Sequence, residues 1–257
     1  MLTAITRGVS PAIARCELSF LNRREIDLSL ARQQHEAYEV LLATLGVRVL
    51  PLPPEPDLPD SMFVEDPAIV LDEIAIILPM GTESRRSEGA SLGKELSKHR
   101  KLEHVLLPGT LEGGDVLRIG RKLFVGLTKR SNAEGRCQLA EIVKPHGYEV
   151  VSVPVTGCLH LKSAVTCIAE NTLLPNRAWF DTTAFTGYDW IDVDPSEPHA
   201  ANALALGGTV IFPASFPRTR RRIGSLDYRV TTLDISELQK AEAGLTCSSL
   251  LFESSSS

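Results

Sequence analysis

The feature that most constrains the fold of this chain is an order of predicted elements that recurs at intervals of roughly 45 residues. Each copy contains two short apolar strands joined by a polar turn, then a helical segment, and then another strand. The clearest hairpins are PAIVLDEIAIIL and DVLRIGRKLFVGL. Such a period indicates one supersecondary unit that is repeated around an axis or along a solenoid.

Helices and further strands follow from the local pattern. Apolar residues spaced three and four apart predict a helix over residues 26–46, and VRVLPLP after it predicts a strand. In the next copies the sequence predicts helices over residues 83–99 and 132–146, a strand at HVLLP (residues 104–108), and a helix near Arg220. The last copy is weaker and contains strands at RVTTLDI and TCSSLLF.

Polar residues occupy the same place in the five copies, just before the first strand of each hairpin. They are, in chain order, Glu65 with Asp66, Glu112, His160, Asn202 and Cys247. If the units close into a ring, residues at one phase of the repeat converge on its axis. The sequence therefore predicts a closed five-bladed α/β propeller of ββαβ units, with its site in the central channel. An open solenoid would spread the same residues along one face, and their spacing alone does not distinguish the two.

Length and charge limit the domain count and the partners. No long linker interrupts the chain, so we expect one catalytic domain over residues 1–253 and a disordered serine tail over residues 254–257. The formal net charge of -5 disfavours a nucleic-acid partner. The basic cluster at Arg218 and residues 220–222 follows a proline and predicts the exposed first turn of a helix. No apolar stretch is long enough to cross a membrane.

The cysteines indicate a reducing compartment. The chain has five of them, an odd number without any C-x-x-C pair, so we predict a cytoplasmic location. Cys158 and His160 could form half of a metal site, but no second close pair completes one. We therefore predict neither a metal nor a cofactor. The sequence leaves open whether the chain forms a homodimer.

The residues at the common phase combine into a reactive set. Alone, His160 has an ordinary structural explanation, and Glu112 beside Gly113 could simply belong to a turn. Together with Cys247 they supply a nucleophile, a general base and carboxylates. Carboxylates oppose the negative charge that develops during attack on an amide, whereas they suit a planar guanidinium cation. A bound guanidinium would also favour the thiolate form of Cys247.

An amino-acid substrate would require cationic side chains for its own carboxylate. Arg85 in ESRR and Arg130 in KRSN each follow the second strand of a hairpin, at matching positions of two copies. A bidentate grip on a carboxylate is their functional interpretation, and surface charge is the structural one.

The motifs that surround these residues resemble a known family. PDSMFVEDPAIV, ESRR, LEGGD, KRSNAEG, HLKS and TCSSL resemble the dimethylarginine dimethylaminohydrolase family, a member of the guanidino-group-modifying superfamily with the five-bladed pentein fold. The matched order covers nearly the whole chain. The resemblance implies a small-molecule substrate, a methylated arginine, and a role in nitrogen supply or nitric oxide regulation.

The resemblance also assigns roles. It implies that Cys247 is the nucleophile, that His160 is the general acid and base, and that Asp66 and Glu112 bind the guanidinium. The implied reaction hydrolyses asymmetric dimethylarginine or monomethylarginine to citrulline and dimethylamine or methylamine through a covalent thiouronium on Cys247. The other residues that it places around the substrate are Asp60 and Glu65 as supporting acids, Arg85 and Arg130 at the carboxylate, Leu18 in a lid with its carbonyl towards the amine, Phe63 against the alkyl chain, and Ala241 before the nucleophile.

Three alternatives remain, and the first is a deiminase-like hydrolase that acts on unmethylated arginine or another guanidine. Arginine deiminases resemble this family but typically have an aspartate two residues after the histidine, where this chain has Lys162. A carboxylate there would be left unpaired against a dimethylated nitrogen, so Lys162 favours the methylated substrate. The second alternative is a guanidine-binding protein without turnover. The third is a structural repeat protein without a site, in which Cys247 would not react selectively with iodoacetamide.

Overall fold

The computed structural model describes residues 1–224 and 228–254. Its strands are β1 (Leu2–Arg7), β2 (Arg48–Leu52), β3 (Ala68–Val70), β4 (Ile74–Ile77), β5 (Lys101–His104), β6 (Val116–Ile119), β7 (Lys122–Leu127), β8 (Glu149–Pro154), β9 (Val165–Ala169), β10 (Thr172–Pro175), β11 (Asp189–Trp190), β12 (Leu204–Leu206), β13 (Thr209–Pro213), β14 (Arg229–Leu233) and β15 (Leu250–Glu253). Its α-helices are α1 (Leu28–Thr44), α2 (Gly89–Leu96), α3 (Ala133–Val143), α4 (Leu161–Ala164), α5 (Pro217–Gly224) and α6 (Ser236–Gln239).

Four of the sheets are built from consecutive strands, in the groups β3–β5, β6–β8, β9–β11 and β12–β14. In each group the first two strands form an antiparallel hairpin, and the third pairs in parallel with the second. A parallel pair needs a crossover connection, and α2, α3 and α5 provide it in three groups. Two 3-10 turns, Arg177–Trp179 and Thr182–Phe185, replace the helix in the group β9–β11.

The fifth sheet joins the two ends of the chain. β1 pairs in parallel with β2 and antiparallel with β15, with Leu2 opposite Glu253 and Ile5 opposite Leu250. The last unit of the repeat is therefore completed by the N-terminal strand and α1. This pairing confirms the closed five-bladed propeller of ββαβ units, and the open solenoid is wrong. β1 was not predicted from the sequence, because its hairpin partner lies at the other end of the chain.

Three predicted elements differ from the structure. The strand expected at TCSSLLF begins only at Leu250, because Thr246–Ser248 forms a 3-10 turn. The strand expected at HVLLP lies earlier, because β5 ends at His104, opposite the last residue of β4. Leu106 and Leu107 after it are exposed. The helix expected over residues 83–99 is divided into a 3-10 turn and α2, which begins at Gly89.

The two ends of the chain lie next to each other. Ser254, the first residue of the predicted tail, donates its backbone N–H to the carbonyl of Met1, and residues 255–257 lie outside the described part of the chain. The assignment of one domain over residues 1–253 stays a prediction.

The basic cluster lies on α5, where residues 220–222 are exposed. Within residues 1–224 and 228–254, no helix is long and apolar enough to span a membrane.

The first strands of the five units surround the axis of the ring. A cavity of about 270 Å³ lies between β3, β6, β9, β12 and β15. Its walls are mainly apolar, and one end reaches Glu65, Lys162 and Thr246. The loops that enter these five strands therefore meet at one end of the axis, and this is where the polar residues of the repeat lie.

Ring closure through β1 contributes strongly to stability. Ile5 is fully buried between Leu250 of β15 and Leu50 of β2. We expect Ile5→Ala to lower the free energy of unfolding by about 2–5 kcal/mol, because it leaves a cavity in the closing sheet. Val40→Ala, on the exposed face of α1, should change it by no more than about 0.5 kcal/mol. Urea denaturation measures both, and equal losses would contradict the role assigned to the closing sheet.

Candidate active site

Residues from three different blades form a compact cluster. Asp66, Glu112 and His160 precede β3, β6 and β9, and their side-chain ligand atoms all lie within 4.8 Å of one another. Cys247 precedes β15, and its carbonyl accepts a hydrogen bond from the backbone N–H of Glu65, next to Asp66. The structure thus brings together residues that are far apart in sequence but stand at one phase of the repeat.

A buried ion pair lies at the centre of this cluster. His160 Nε2 is 2.7 Å from Glu112 Oε2, and both side chains are buried. Burial alone would lower the pKa of His160, but Asp66, Glu112 and Asp115 outweigh it and raise the pKa to about 9. Burial would raise the pKa of Glu112, but the hydrogen bond and charge of His160 overcome it and lower the pKa. The pair is therefore imidazolium and carboxylate at neutral pH.

Two glycines allow these side chains to approach. A Cβ atom on Gly114 would lie 2.5 Å from His160 Nδ1 and 2.8 Å from Asp66 Oδ1. A Cβ atom on Gly113 would lie 1.9 Å from the carbonyl oxygen of Glu65. The backbone of LEGGD therefore packs directly against the cluster, which explains why two glycines follow Glu112.

Arg85 is held by carboxylates on two sides. Its Nη1 donates to Asp66 Oδ2 at 3.0 Å, while Nε and Nη2 donate to both oxygens of Glu88 at 3.0 and 2.9 Å. Burial would lower the pKa of Arg85, but the charges of Asp66 and Glu88 raise it well above the ordinary value. Arg85 therefore neutralises Asp66 here, and the second acid, Glu88, was not identified from the sequence.

Arg130 connects the cluster to the segment of residues 16–25, which we call the lid. Its Nη1 lies 3.3 Å from Glu112 Oε1, and its Nη2 donates to the Ser19 hydroxyl at 3.0 Å. The neighbouring Leu18 is partly buried and packs against the apolar core that contains Phe63 and Ala241. Arg130 thus contacts both an acid of the cluster and the lid.

Two further acids hold the lid by its backbone. Asp60 accepts the backbone N–H of Glu17, at 3.1 Å for the shorter contact. Glu242, a non-glycine residue with φ of 60°, accepts the backbone N–H groups of Ser19, Phe20 and Leu21 at 2.6–3.0 Å. Asp60 was assigned to the site from the sequence, whereas no role was predicted for Glu242.

A hydrogen-bonded network of Glu65, Lys162, Asn202 and Thr246 lies next to Cys247, and we call it the floor of the site. Lys162 Nζ donates to Glu65 Oε1, and Glu65 Oε2 accepts the hydroxyl of Thr246 at 2.8 Å. Asn202 donates to the carbonyl of Lys162 and to Thr246 Oγ1, each at 3.0 Å. This network lies at the end of the central cavity and holds the residue before Cys247. The ammonium of Lys162 is therefore paired within the floor.

Cys247 is partly exposed, and it is a protonated thiol in the free site. Burial of its sulfur, reinforced by the charges of Glu65 and Asp66, raises the pKa of the thiol well above its usual value. The backbone N–H of Gly244, 3.4 Å from Sγ, and the charge of Lys162 oppose this only in part. Activation of the thiol therefore requires additional positive charge.

The cluster also satisfies the simplest criterion for a metal site. Asp66, Glu112 and His160 could each offer one ligand atom. However, Arg85 and Arg130 already lie against the two carboxylates, and the imidazole carries a proton. This arrangement suits exchange with an organic cation that forms directed hydrogen bonds.

The comparisons with known proteins place the chain in a family. Residues 15–174 match a protein-family model described as N,N dimethylarginine dimethylhydrolase, eukaryotic. The N(G),N(G)-dimethylarginine dimethylaminohydrolase of Pseudomonas aeruginosa is 37% identical over 228 residues, which cover 88% of this chain and 90% of that protein. This chain belongs to the dimethylarginine dimethylaminohydrolase family. The expectation that the sequence motifs raised is thereby confirmed.

Further relatives agree with this membership. The Streptomyces coelicolor N(G),N(G)-dimethylarginine dimethylaminohydrolase is 36% identical over 250 residues, covering 96% of this chain and 95% of that protein. Among solved structures, a cysteine-to-serine mutant of the Pseudomonas aeruginosa dimethylarginine dimethylaminohydrolase complexed with citrulline is similar, with a TM-score of 0.92 and 34% identity. The similarity covers 97% of this chain and 98% of that one.

The close packing at Gly114 has a testable consequence. We expect Gly114→Ala to displace His160 or Asp66 and to lower the free energy of unfolding by about 1–3 kcal/mol. Gly224→Ala is the matched control, because a Cβ atom there meets no described atom within 4 Å. Urea denaturation and the NMR signals of the histidine rings would compare the two. A Gly114→Ala protein with unchanged stability and histidine signals would contradict the packing described for LEGGD.

Proposed function

We propose that this chain hydrolyses Nω-methylated arginines, both asymmetric dimethylarginine and monomethylarginine, to citrulline and dimethylamine or methylamine. The observation that carries the proposal is the buried cluster of Asp66, Glu112 and His160 beside the loop of Cys247. Membership of the dimethylarginine dimethylaminohydrolase family supports the substrate, and the relative complexed with citrulline supports the product.

Substrate binding is an exchange of ion pairs. In the free site Asp66 pairs with Arg85, and Glu112 pairs with Arg130. A methylated arginine brings a guanidinium for the two acids and a carboxylate for the two arginines. The exchange preserves the charge balance of the buried site, so neither acid is left without a cationic partner.

The other predicted site residues bind the remaining parts of the substrate or support the site. We assign the substrate amine to the carbonyl of Leu18 and to the loop that contains Ala241, with Asp60 as the supporting acid. Phe63 packs against the alkyl chain, and Glu65 supports the site from the floor through Thr246.

The bound cation activates the nucleophile. In the free site the pKa of Cys247 is raised by burial and by Glu65 and Asp66. A guanidinium held against the acids places a positive charge beside the sulfur and favours the thiolate. The thiol releases its proton to solvent, because His160 is already protonated, and the thiolate then forms an S–C bond to the guanidinium carbon. Asp66 and Glu112 stabilise the positive charge of the tetrahedral intermediate.

His160 transfers the protons. Its raised pKa keeps the imidazole protonated, so it can protonate the methylated amine as the C–N bond breaks. A thiouronium remains on Cys247, and the neutral imidazole then takes a proton from water. The resulting hydroxide adds to the same carbon. The C–S bond then breaks as the proton of the added hydroxyl passes to the sulfur, which releases citrulline and the thiol of Cys247. Glu112 stabilises the imidazolium whenever it forms.

The floor favours a methylated nitrogen. Lys162 occupies the position of an aspartate in arginine deiminases, and its ammonium is paired with Glu65. No carboxylate from this position is then available to bind the N–H groups of an unmethylated terminal nitrogen. We infer that arginine itself is a poor substrate.

The raised pKa of His160 predicts an alkaline limit to turnover. The imidazole must be protonated when the amine leaves, so kcat should fall as pH rises through a value at or below about 9. The pKa of His160 in the substrate complex should not exceed its value in the free site, because the bound guanidinium disfavours a second positive charge nearby. Initial rates of citrulline release at saturating substrate across pH measure this. A kcat that keeps rising above pH 9 would exclude His160 as the proton donor.

The direct test of function is citrulline release from asymmetric dimethylarginine and, in parallel, from arginine. We expect release from the methylated substrate only, and a loss of at least about 100-fold in Cys247→Ser and in His160→Gln. Cys137→Ser is the matched control, because Cys137 is an exposed thiol outside the cluster. Turnover of arginine alone would identify a deiminase and contradict the inference from Lys162.

If neither compound is hydrolysed, three alternatives remain: another guanidine is the substrate, or one of the two non-catalytic interpretations holds. A guanidine-binding protein would protect Cys247 from iodoacetamide when arginine analogues are present, whereas a structural repeat protein would show no such protection. A cytoplasmic location stays a prediction, and the sequence leaves open whether the chain forms a homodimer.

A further inference from the structure

We infer that Asp115 is a positioning residue that fixes His160 and Arg130 relative to each other. Its carboxylate is fully buried and lies behind the cluster. It accepts the backbone N–H of Leu161, directly after His160, at 3.1 Å. It also accepts the hydroxyl groups of Thr128 and Ser131, on either side of Arg130, at 2.6 Å each.

The direction of these hydrogen bonds favours an ionised carboxylate. Burial raises the pKa of Asp115, and the charge of His160 together with the three hydrogen bonds opposes this in part. Thr128 Oγ1 accepts the backbone N–H of Arg130 at 3.1 Å, and Ser131 Oγ accepts the backbone N–H of Glu112 at 3.2 Å. Each hydroxyl therefore has its own proton free to donate to Asp115. With the N–H of Leu161, three donors point at one carboxylate, and among the described residues no hydrogen-bond acceptor is paired with it.

Asp115 thus links three parts of the site through short contacts. One oxygen holds the first turn of α4, which fixes the backbone of His160. The other oxygen holds the loop of Arg130 and, through Ser131, the backbone of Glu112. Space for this carboxylate depends on Gly126, where a Cβ atom would lie 2.7 Å from Asp115 Oδ1.

The same carboxylate acts on the charge of His160. The imidazole lies among Asp66, Glu112 and Asp115, and all three favour its protonated form. Arg85 and Arg130 lie beyond the first two acids and neutralise part of their charge. In the described part of the chain, no cationic side chain contacts Asp115, so its charge acts on the imidazole without such compensation.

Asp115→Asn tests the inference, and Glu197→Gln is the matched control. Glu197 is another buried carboxylate that accepts two backbone N–H groups, those of Arg218 and Thr219, in a different blade. We expect Asp115→Asn to lower the pKa of His160, measured by NMR in the substrate-free protein. We also expect it to lower kcat about 10-fold and to move its alkaline limit to lower pH. Glu197→Gln should change neither property.

The NMR measurement does not depend on the proposed function, whereas the kinetic one rests on it. A His160 pKa that is unchanged in Asp115→Asn, or lowered equally in Glu197→Gln, would overturn the inference. Absence of turnover in the parent protein would instead count against the proposed function alone.

A second variant covers the case in which Asp115→Asn does not fold. Thr128→Val keeps the side-chain shape but removes one donor to Asp115 and the acceptor for the N–H of Arg130. We expect KM for the methylated substrate to rise several-fold with kcat nearly unchanged, because the loop of Arg130 loosens while α4 stays fixed. An unchanged KM in a stable Thr128→Val protein would overturn the linkage.

Discussion

The closure of the ring by the two ends of the chain is the constraint on which the rest of the structure depends. β1 pairs with β15 on one side and β2 on the other, and this converts a linear repeat into five blades around one axis. Only then do the loops before the five inner strands face each other. Hydrogen bonds between these loops follow, such as that from the N–H of Gly113 to the carbonyl of Asp66.

The loops that meet at one end of the axis bring several buried carboxylates close together, and these concentrate negative charge there. Within residues 1–224 and 228–254, six buried carboxylates belong to the site or directly support it: Asp60, Glu65, Asp66, Glu88, Glu112 and Asp115. The cationic partners are Arg85, Arg130, His160 and Lys162. Burying charge without a partner is unfavourable, so such a site prefers to bind a cation. The preference for guanidinium and the requirement for substrate to activate Cys247 have the same origin.

Much of this arrangement could be predicted from the sequence, because it follows from periodicity. The spacing of Asp66, Glu112, His160 and Cys247 places them at one phase of the repeat, and the structure brings their loops together. Periodicity carries no information about β1, whose partner is at the opposite end of the chain.

The sequence pattern also did not predict which partners the buried polar side chains contact. Arg85 was predicted as a free cation for the substrate carboxylate, but in the free site it is paired with Asp66 and Glu88. Lys162 was considered only as the absence of an aspartate, whereas its ammonium forms part of the floor. No role was predicted for Asp115 in LEGGD, because its three hydrogen-bond donors come from two other loops. Such contacts depend on how the loops fold against each other.

The most direct test of the central claim is the ionisation of Cys247 with and without a cation in the site. Ultraviolet titration of the thiolate, corrected with Cys247→Ala, would be recorded with methylguanidinium and with methylurea, its uncharged counterpart. We predict that methylguanidinium lowers the pKa of Cys247 and that methylurea does not. The same pKa with both ligands would contradict the claim that the buried acids use the substrate cation to generate the nucleophile.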